Sequence, residues 1–188
     1  MIEKKTLGGQ NVSLKSLRED GDLTNYFKGI NDKELTKYLE AGKRQHTVKD
    51  LQDYINRMNT SENHRLFGIF LHGTDVHIGN ITLDNIDMSN RKTEIAIFLW
   101  NHHGKGYATE AINLLVYYAF TSLNLNKLYA GAVVQNHASV ALFKKCGFEE
   151  EGILKMEFLK DGDYYDAIRF RLLKSGFHDS NKINDVLT

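Results

Sequence analysis

The sequence predicts a single domain of mixed α+β class, and three observations support that prediction. The predicted elements alternate irregularly, with one strand, two or three short helices, three strands, a long helix, a strand, a short helix and two strands. A glycine-containing turn separates the fourth strand from the long helix. With 188 residues, 41% hydrophobic and 26% charged, the chain has the size and composition of one globular domain. We expect this domain to cover residues 1–174 and a polar tail to follow at residues 175–188.

The first part of the chain contains a strand followed by short helices. Residues 11–17 alternate polar and apolar, which is typical of a strand. Leu23, Tyr26, Phe27 and Ile30 share one face of a first helix, and Asp32 can cap a second helix that continues to Leu39. The segment 47–50 resembles a capping box with Asp in place of Glu, and it opens a third helix.

The middle and the end of the chain read as strands around two further helices. Residues 64–72 and 76–83 form a predicted hairpin, and a polar loop at 84–92 leads to the central strand, Thr93–Trp100. An apolar stripe at three- and four-residue spacing predicts the long helix from Ala108 to Ala119. The remaining predicted elements are a strand at 127–134, a helix that ends at Gly147, and a hairpin built from residues 148–159 and 164–173.

The composition excludes several classes of function. Lys and Arg total 24, as do Asp and Glu, so the formal net charge is zero, which argues against nucleic-acid and anionic-membrane binding. No apolar run reaches about 18 residues, and the N-terminus lacks the apolar core of a secretory signal. Cys146 is the only cysteine, which fits a reducing compartment, so we expect a cytoplasmic protein. We expect no metal.

The turn at residues 101–106 predicts an anion site. Gly104 and Gly106 bracket Lys105 where the long helix begins, and a helix N-terminus offers unpaired N–H groups and a partial positive charge. Strand, glycine loop and helix together suit a phosphate. A mononucleotide P-loop does not fit the spacing, and a dinucleotide fingerprint would need a small residue where Thr109 stands. Two interpretations of the turn remain: a site for the pyrophosphate of coenzyme A, or a helix start that binds no ligand.

A second informative run follows the fifth predicted strand. It reads N-x-x-S-x-x-x-F-x-K-x-G-F from Asn136 to Phe148. An amide at a strand end can donate to a ligand between strands, and Ser139 lies one helical turn later. The alternative is that Asn136 only caps the helix and Ser139 is only a polar residue of its first turn.

With these two motifs and the closing EEGILK…DGDYYDAIRF hairpin, residues 11–174 resemble the GCN5-related N-acetyltransferase (GNAT) family. The branch it is similar to contains ribosomal-protein N-terminal, spermidine and amino-sugar acetyltransferases. The resemblance implies a mostly antiparallel, twisted sheet of six to seven strands that splays between strands 4 and 5, flanked by four to five helices. Asn101 stands where the family motif begins with Gln or Arg.

The resemblance also implies acetyl-CoA as cosubstrate, bound where strands 4 and 5 separate. The backbone of Phe98 and Leu99 would pair with the pantetheine arm, Asn136 would hydrogen-bond that arm, and Ser139 would lie near the sulfur. The pyrophosphate would be held by the loop and the first helical turn, through His103, Gly104, Lys105, Gly106, Tyr107, Ala108 and Thr109.

The implied reaction is direct acetyl transfer to an amine in a ternary complex, which needs a base because amines are protonated at neutral pH. Glu94 is the first candidate base, and Asp84 and His77 are further ones. Phe143 stands where relatives often carry a proton-donating Tyr, so Ser139, Tyr107 or water would protonate the thiolate.

For the acceptor we expect recognition by Tyr38, Asp84 and Tyr164, with Tyr165 and Asp166 as further candidates. A polyamine, an amino sugar and a protein N-terminus all stay open, although the early helices show no marked acidic cluster, which disfavours a polyamine. The Phe at position 143 also keeps open a non-catalytic sensor of acetyl-CoA. The sequence leaves open whether the chain forms a homodimer.

Overall fold

An eight-stranded sheet with helices on both faces forms the frame of the molecule. The computed structural model describes residues 6–177. The strands lie in the order β1-β2-β3-β4-β5-β6-β8-β7, and every neighbouring pair is antiparallel except β5 and β6. The elements are β1 (Thr6–Gly8), β2 (Val12–Ser16), α1 (Thr24–Ile30), α2 (Val48–Thr60), β3 (Arg65–Leu71), β4 (His77–Asp87), β5 (Lys92–Leu99), α3 (Tyr107–Thr121), β6 (Lys127–Val133), α4 (His137–Lys145), β7 (Glu149–Lys160) and β8 (Asp163–Leu173).

Two apolar clusters hold the layers together. On one face α3 and α4 pack on the sheet through residues such as Ile112, Leu115 and Phe143. On the other face α1 and α2 enclose a smaller cluster that includes Ile55 and Trp100. Burial of these side chains stabilises the fold by about 25 cal/mol per Å² of apolar surface removed from water.

Helix α2 begins as its sequence predicts. The Asp50 backbone N–H donates to Thr47 Oγ1 at 3.1 Å, and the Thr47 N–H donates to Asp50 Oδ2 at 2.7 Å, which completes the capping box. Leu51, Ile55 and Met58 then form the buried stripe.

The predicted separation of the central strands is confirmed. The parallel pairing of β5 with β6 covers only three positions and ends at Glu94 and Tyr129. Beyond that point Ile95–Leu99 and Ala130–Val133 run without pairing to each other, so the sheet opens into a gap.

Three predictions about local structure are wrong. The short strand β1 precedes the predicted first strand, so the sheet has eight strands and not six to seven. The predicted helix from Asp32 to Leu39 is a run of turns followed by a 3₁₀ helix, Glu40–Lys43. Asp32 Oδ1 does accept from the N–H groups of Glu34 and Leu35 at 2.9 and 3.1 Å, as a helix cap would. The backbone bonds that follow, from Lys37 to Glu34 and from Leu39 to Thr36, span three residues instead of four, so the segment forms turns and not an α-helix.

The third correction concerns the predicted loop at residues 84–92. Strand β4 continues to Asp87, and the turn occupies only Met88–Arg91. The register of β4 on β5 shifts between Asp84 and Asp87, where Asn85 has φ 53°. This irregularity allows β4 to extend beyond the apolar residues that end at Leu83. Asp84 therefore lies within a strand. In the segment predicted as a polar tail, Phe177 packs against Phe120 with ring centroids 5.4 Å apart, and residues 178–188 lie outside the described part of the chain.

Candidate active site

The open edge of β5 offers unpaired backbone groups to the gap. The Trp100 N–H donates to the Ile78 carbonyl at 3.1 Å, and residue pairs of an antiparallel ladder alternate between bonded and non-bonded. The N–H and C=O groups of Phe98 therefore point to β4, whereas those of Ile97 and Leu99 point into the gap. The predicted ligand pairing through the Phe98 backbone does not fit this ladder, because Ile97 and not Phe98 faces the gap.

The turn between β5 and α3 leaves several N–H groups without an acceptor. Gly104 and Gly106 have φ values of 77° and 82°, which favour glycine. Gly106 is the N-cap of α3, and no side chain caps the helix. The first intrahelical bond is from the Glu110 N–H to the Gly106 carbonyl, at 3.0 Å, so the N–H groups of the three residues between them are unpaired within the helix.

These groups border a cavity of about 540 Å³, which we call the loop cavity. Its walls contain most of the residues predicted to bind a cofactor, together with Tyr38. Lys105, between the two glycines, is exposed and not part of the wall. The predicted residues on the wall are Tyr38, Phe98, Leu99, His103, Gly104, Gly106, Tyr107, Ala108, Thr109, Asn136 and Ser139.

Asn136 and Ser139 begin α4 on the opposite side of the loop cavity. Asn136 Oδ1 accepts from the Ser139 N–H at 3.2 Å, so Asn136 is the N-cap of the helix. The cap uses only the oxygen of the amide. The Nδ2 group and the Ser139 hydroxyl are therefore available to a molecule in the cavity.

A second cavity of about 650 Å³ lies between the sheet and α1 and α2, and we call it the α1–α2 cavity. Its wall combines aromatic rings, including Tyr26, Tyr54 and Phe98, with ionisable side chains. The ionisable residues are Glu40, Arg44, His46, Asp50, Asp53, Arg57 and Asp84. Three of the carboxylates, at positions 40, 50 and 53, come from the segment whose sequence shows no marked acidic cluster.

The two cavities meet at the open part of β5. Leu39, Ile97 and Phe98 belong to both walls. Leu39 belongs to the run of turns that replaces the predicted helix. Lys160, at the tip of the β7–β8 hairpin, donates to the carbonyl of Lys37 at 2.8 Å. This bond holds the run of turns, which lines both cavities, against the hairpin.

Glu94, the first candidate base, lies at the closed end of the gap and lines neither cavity. It pairs in register with Asp84 on β4 and with Tyr129 on β6. Burial raises the pKa of its carboxyl; the positive charge of Arg169 opposes this shift, and Asp84 adds to it. The carboxyl is thus a stronger proton acceptor than an exposed glutamate.

The structure separates the other predicted residues from the cavities. His77 is buried, with its Nε2 within 2.9 Å of both the Gly79 carbonyl and Asn80 Oδ1, and it lines neither cavity. Tyr164 is 57% exposed on β8 and also lines neither cavity, as do Tyr165 and Asp166; Asp166 pairs with Lys155 at 2.8 Å.

Phe143 lies in the core. It is 3% exposed and packs against Phe148 and Phe170, with centroid distances of 5.4 and 5.7 Å. Neither cavity includes it. The presence of Phe and not Tyr at position 143 is therefore no evidence for or against proton transfer in the site.

The sequence did not indicate His64, Tyr54 or Arg57 as residues of the site. His64 Nδ1 lies 3.0 Å from Asp84 Oδ1, although 20 positions separate the two residues. Arg57 stacks over Tyr54 at 5.4 Å. A helical spacing of three residues could have indicated the second pair, but no local pattern indicates the first.

The described residues contain no group of three or more His, Cys, Asp or Glu side chains arranged to hold a metal ion. Within residues 6–177 no helix has the length and apolar character needed to span a membrane. Burial raises the pKa of the Cys146 thiol to about 11, so the side chain is a thiol at neutral pH and a weak nucleophile.

Comparisons with known proteins agree on one family. The sequence profile of the acetyltransferase (GNAT) domain matches residues 11–149. An uncharacterized N-acetyltransferase of Bacillus licheniformis is 34% identical over 175 residues, which cover 90% of this chain and 97% of the relative. The spermidine N(1)-acetyltransferase of Escherichia coli K12 is 31% identical over 134 residues, 71% of each chain.

Among solved structures, the spermidine N-acetyltransferase of Vibrio cholerae in complex with CoA and spermine is similar in fold. Its TM-score is 0.81 at 31% identity, and the match covers 89% of this chain and 98% of that one.

Proposed function

The chain belongs to the GNAT acetyltransferase family and is an N-acetyltransferase that acts on an amine; from this premise we propose that it transfers the acetyl group of acetyl-CoA to the primary amine of a small cationic molecule. CoA occupies the loop cavity, and the acceptor occupies the α1–α2 cavity. The observation that carries the proposal is the junction of the two cavities at Leu39, Ile97 and Phe98. A thioester and an amine that enter from opposite sides can meet there.

CoA binding follows from the hydrogen-bond donors of the loop cavity. The pyrophosphate accepts from the N–H groups of the turn and of the first helical turn, from His103 to Thr109, and the helix dipole adds attraction. The pantetheine arm pairs with the backbone of Ile97 and Leu99 as an added strand would. Asn136 Nδ2 supports the arm from the other side. Lys105 contributes only long-range attraction.

Direct attack by the amine is the mechanism that the site supports. The amine nitrogen attacks the thioester carbonyl carbon, and a backbone N–H of the open β5 edge donates to the oxyanion. The C–S bond then breaks, and its electron pair goes to the sulfur. The Ser139 hydroxyl, on the wall of the loop cavity, donates to the departing thiolate, and Tyr107 or water is the alternative donor. Cys146 takes no part, because it lines neither cavity and stays protonated.

A polyamine is the acceptor that the α1–α2 cavity favours. Four carboxylates, Glu40, Asp50, Asp53 and Asp84, stand on its wall. The first three form ion pairs with Lys43, Arg44 and Lys49 at 2.7, 3.3 and 2.6 Å. Asp84 contacts His64 and Thr82 instead, so it is the carboxylate that an ammonium group in the cavity can pair with. Tyr26, Tyr54 and Phe98 add aromatic faces that attract cations. The related enzymes of E. coli and V. cholerae are named for spermidine. An amino sugar or a protein N-terminus remains an alternative.

The single half-buried cysteine is compatible with a cytoplasmic location.

A panel of amines tests the proposal. Purified protein is mixed with acetyl-CoA and with spermidine, spermine, putrescine, glucosamine or a short peptide with a free N-terminus, and free thiol is measured over time. We expect the highest kcat/KM with a polyamine. Turnover only with the peptide would contradict the assignment of the acceptor, and tight CoA binding without turnover on any amine would indicate the sensor alternative.

A further inference from the structure

Two neighbours fix the carboxylate of Asp84 on the wall of the α1–α2 cavity. His64 Nδ1 lies 3.0 Å from Oδ1, and the Thr82 hydroxyl donates to Oδ2 at 2.5 Å. Thr82 and Asp84 both line the cavity. These two contacts hold the carboxylate in place. Because the Asp84 side chain is 26% exposed, a molecule in the cavity can still reach it.

The surroundings of Asp84 contain ionisable groups from four directions. Glu94 is its partner in the β4–β5 ladder, Tyr54 faces it from α2, Tyr129 lies on β6, and His64 precedes β3. Burial raises the pKa of Glu94 and of both tyrosines. Of the two neighbouring carboxylates, only Asp84 reaches a cavity.

His64 is suited to control this carboxylate. Its side chain is 29% exposed, so solvent reaches the ring while Nδ1 faces Asp84. A neutral ring with its proton on Nδ1 donates to Oδ1 and leaves the remaining lone pairs of the carboxylate for a cation in the cavity.

Building on the function proposed above, we propose that Asp84 is the proton acceptor of the reaction and that His64 is its positioning residue. The acceptor ammonium gives one proton to the Asp84 carboxylate, and the freed nitrogen lone pair forms the C–N bond. As the C–S bond breaks, the second nitrogen proton is lost and the thiolate takes up one proton. The other proton leaves Asp84 for solvent, so the products are the amide, CoA thiol and one released proton.

Four variants test this assignment with acetyl-CoA and spermidine, or with the panel amine that the wild type converts fastest. We expect Asp84→Asn to lower kcat/KM about 100-fold or more. We expect Glu94→Gln to cost less than about tenfold. His64→Ala removes the donor and should lower kcat/KM about tenfold. His64→Asn keeps a donor near the position of Nδ1, so it should stay within about threefold of wild type.

A split between kcat and KM distinguishes positioning from a purely structural role. In His64→Ala the loss should fall on kcat, with the KM for acetyl-CoA changed by less than about threefold, and His64→Asn should restore kcat. Asp75→Asn and His72→Asn, exposed residues near the β3–β4 turn, serve as matched controls and should match the wild type. Calorimetry with CoA and thermal unfolding report whether each variant folds and binds the cofactor.

The outcomes are distinct. If Asp84→Asn keeps more than about a third of the wild-type kcat/KM, or if Glu94→Gln shows the larger loss, Asp84 is not the acceptor of the proton. If His64→Ala keeps the wild-type kcat, or if His64→Asn does not restore it, His64 does not position Asp84. If the wild type converts no amine at all, the proposed function itself fails, and the Asp84 assignment fails with it.

Discussion

Glu94 and Tyr129 are the last residues at which β5 and β6 pair. Beyond them the two strands diverge, and the backbone of Ile97 and Leu99 is left open to the gap. Strand pairing that stops here creates a site where an extended ligand can replace a missing neighbour strand. The glycine turn after β5 and the helix cap after β6 lie at the open end of the same gap.

Substitution of Gly106 tests whether the turn before α3 binds the pyrophosphate of CoA. Gly106→Ala should lower the free energy of unfolding by about 1 kcal/mol, because a Cβ disfavours its left-handed conformation, and should raise the KM for acetyl-CoA about tenfold by misaligning the N–H groups. Gly162→Ala is a matched control, since Gly162 has φ 91° in the β7–β8 turn. It should show the same loss of stability with an unchanged KM. Equal KM values for the two variants would contradict the role of the turn.

Phe143→Tyr tests whether position 143 can supply a proton. The ring is enclosed by Phe148 and Phe170, so an added hydroxyl would be buried without a clear partner and should cost about 1–3 kcal/mol of stability. We expect kcat not to rise. Chemical denaturation and steady-state kinetics measure both effects. An increase of kcat above about threefold would mean that the ring reaches the thioester.

Lys160→Met tests the contact between the β7–β8 hairpin and the run of turns that contains Lys37 and Leu39 and lines both cavities. Loss of the bond to the Lys37 carbonyl should loosen that segment and raise the KM for both substrates about two- to fivefold, with a smaller change in kcat. Lys155→Met, on the same hairpin and paired with Asp166, is the control and should leave both KM values unchanged. The idea is abandoned if the two variants behave alike.

His77 predicts a pH dependence of stability. Burial lowers its pKa below the ordinary value of 6.5, so below about pH 6.5 the unfolded chain binds more protons than the folded one. Stability should therefore fall as the pH drops from about 7 towards 5. In His77→Asn this contribution to the slope should disappear, whereas in His72→Asn, at an exposed site, it should persist. Melting temperatures across this range give the comparison, and equal slopes in wild type and His77→Asn would refute the prediction.

The elements that the sequence predicted correctly depend on short-range patterns. The Thr47–Asp50 capping box, the apolar stripe of α3 and the glycine turn before it each involve residues within a few positions of one another. The Asp32 segment was mispredicted because its cap contacts form as expected, but the later backbone hydrogen bonds span three residues instead of four.

By itself, the sequence determined the fold class and the helix start that suits a phosphate, because periodicity, glycine conformation and capping are local properties of the chain. The gap between the two central strands was expected only from the resemblance to the GNAT family. The tertiary structure alone decided which side chains share a cavity. It brought His64 against Asp84 across 20 positions, left Glu94 outside both cavities and turned Phe143 into the core. Strand register and the packing of helices on the two faces of the sheet set these relationships, and both are long-range effects that no short stretch of sequence encodes.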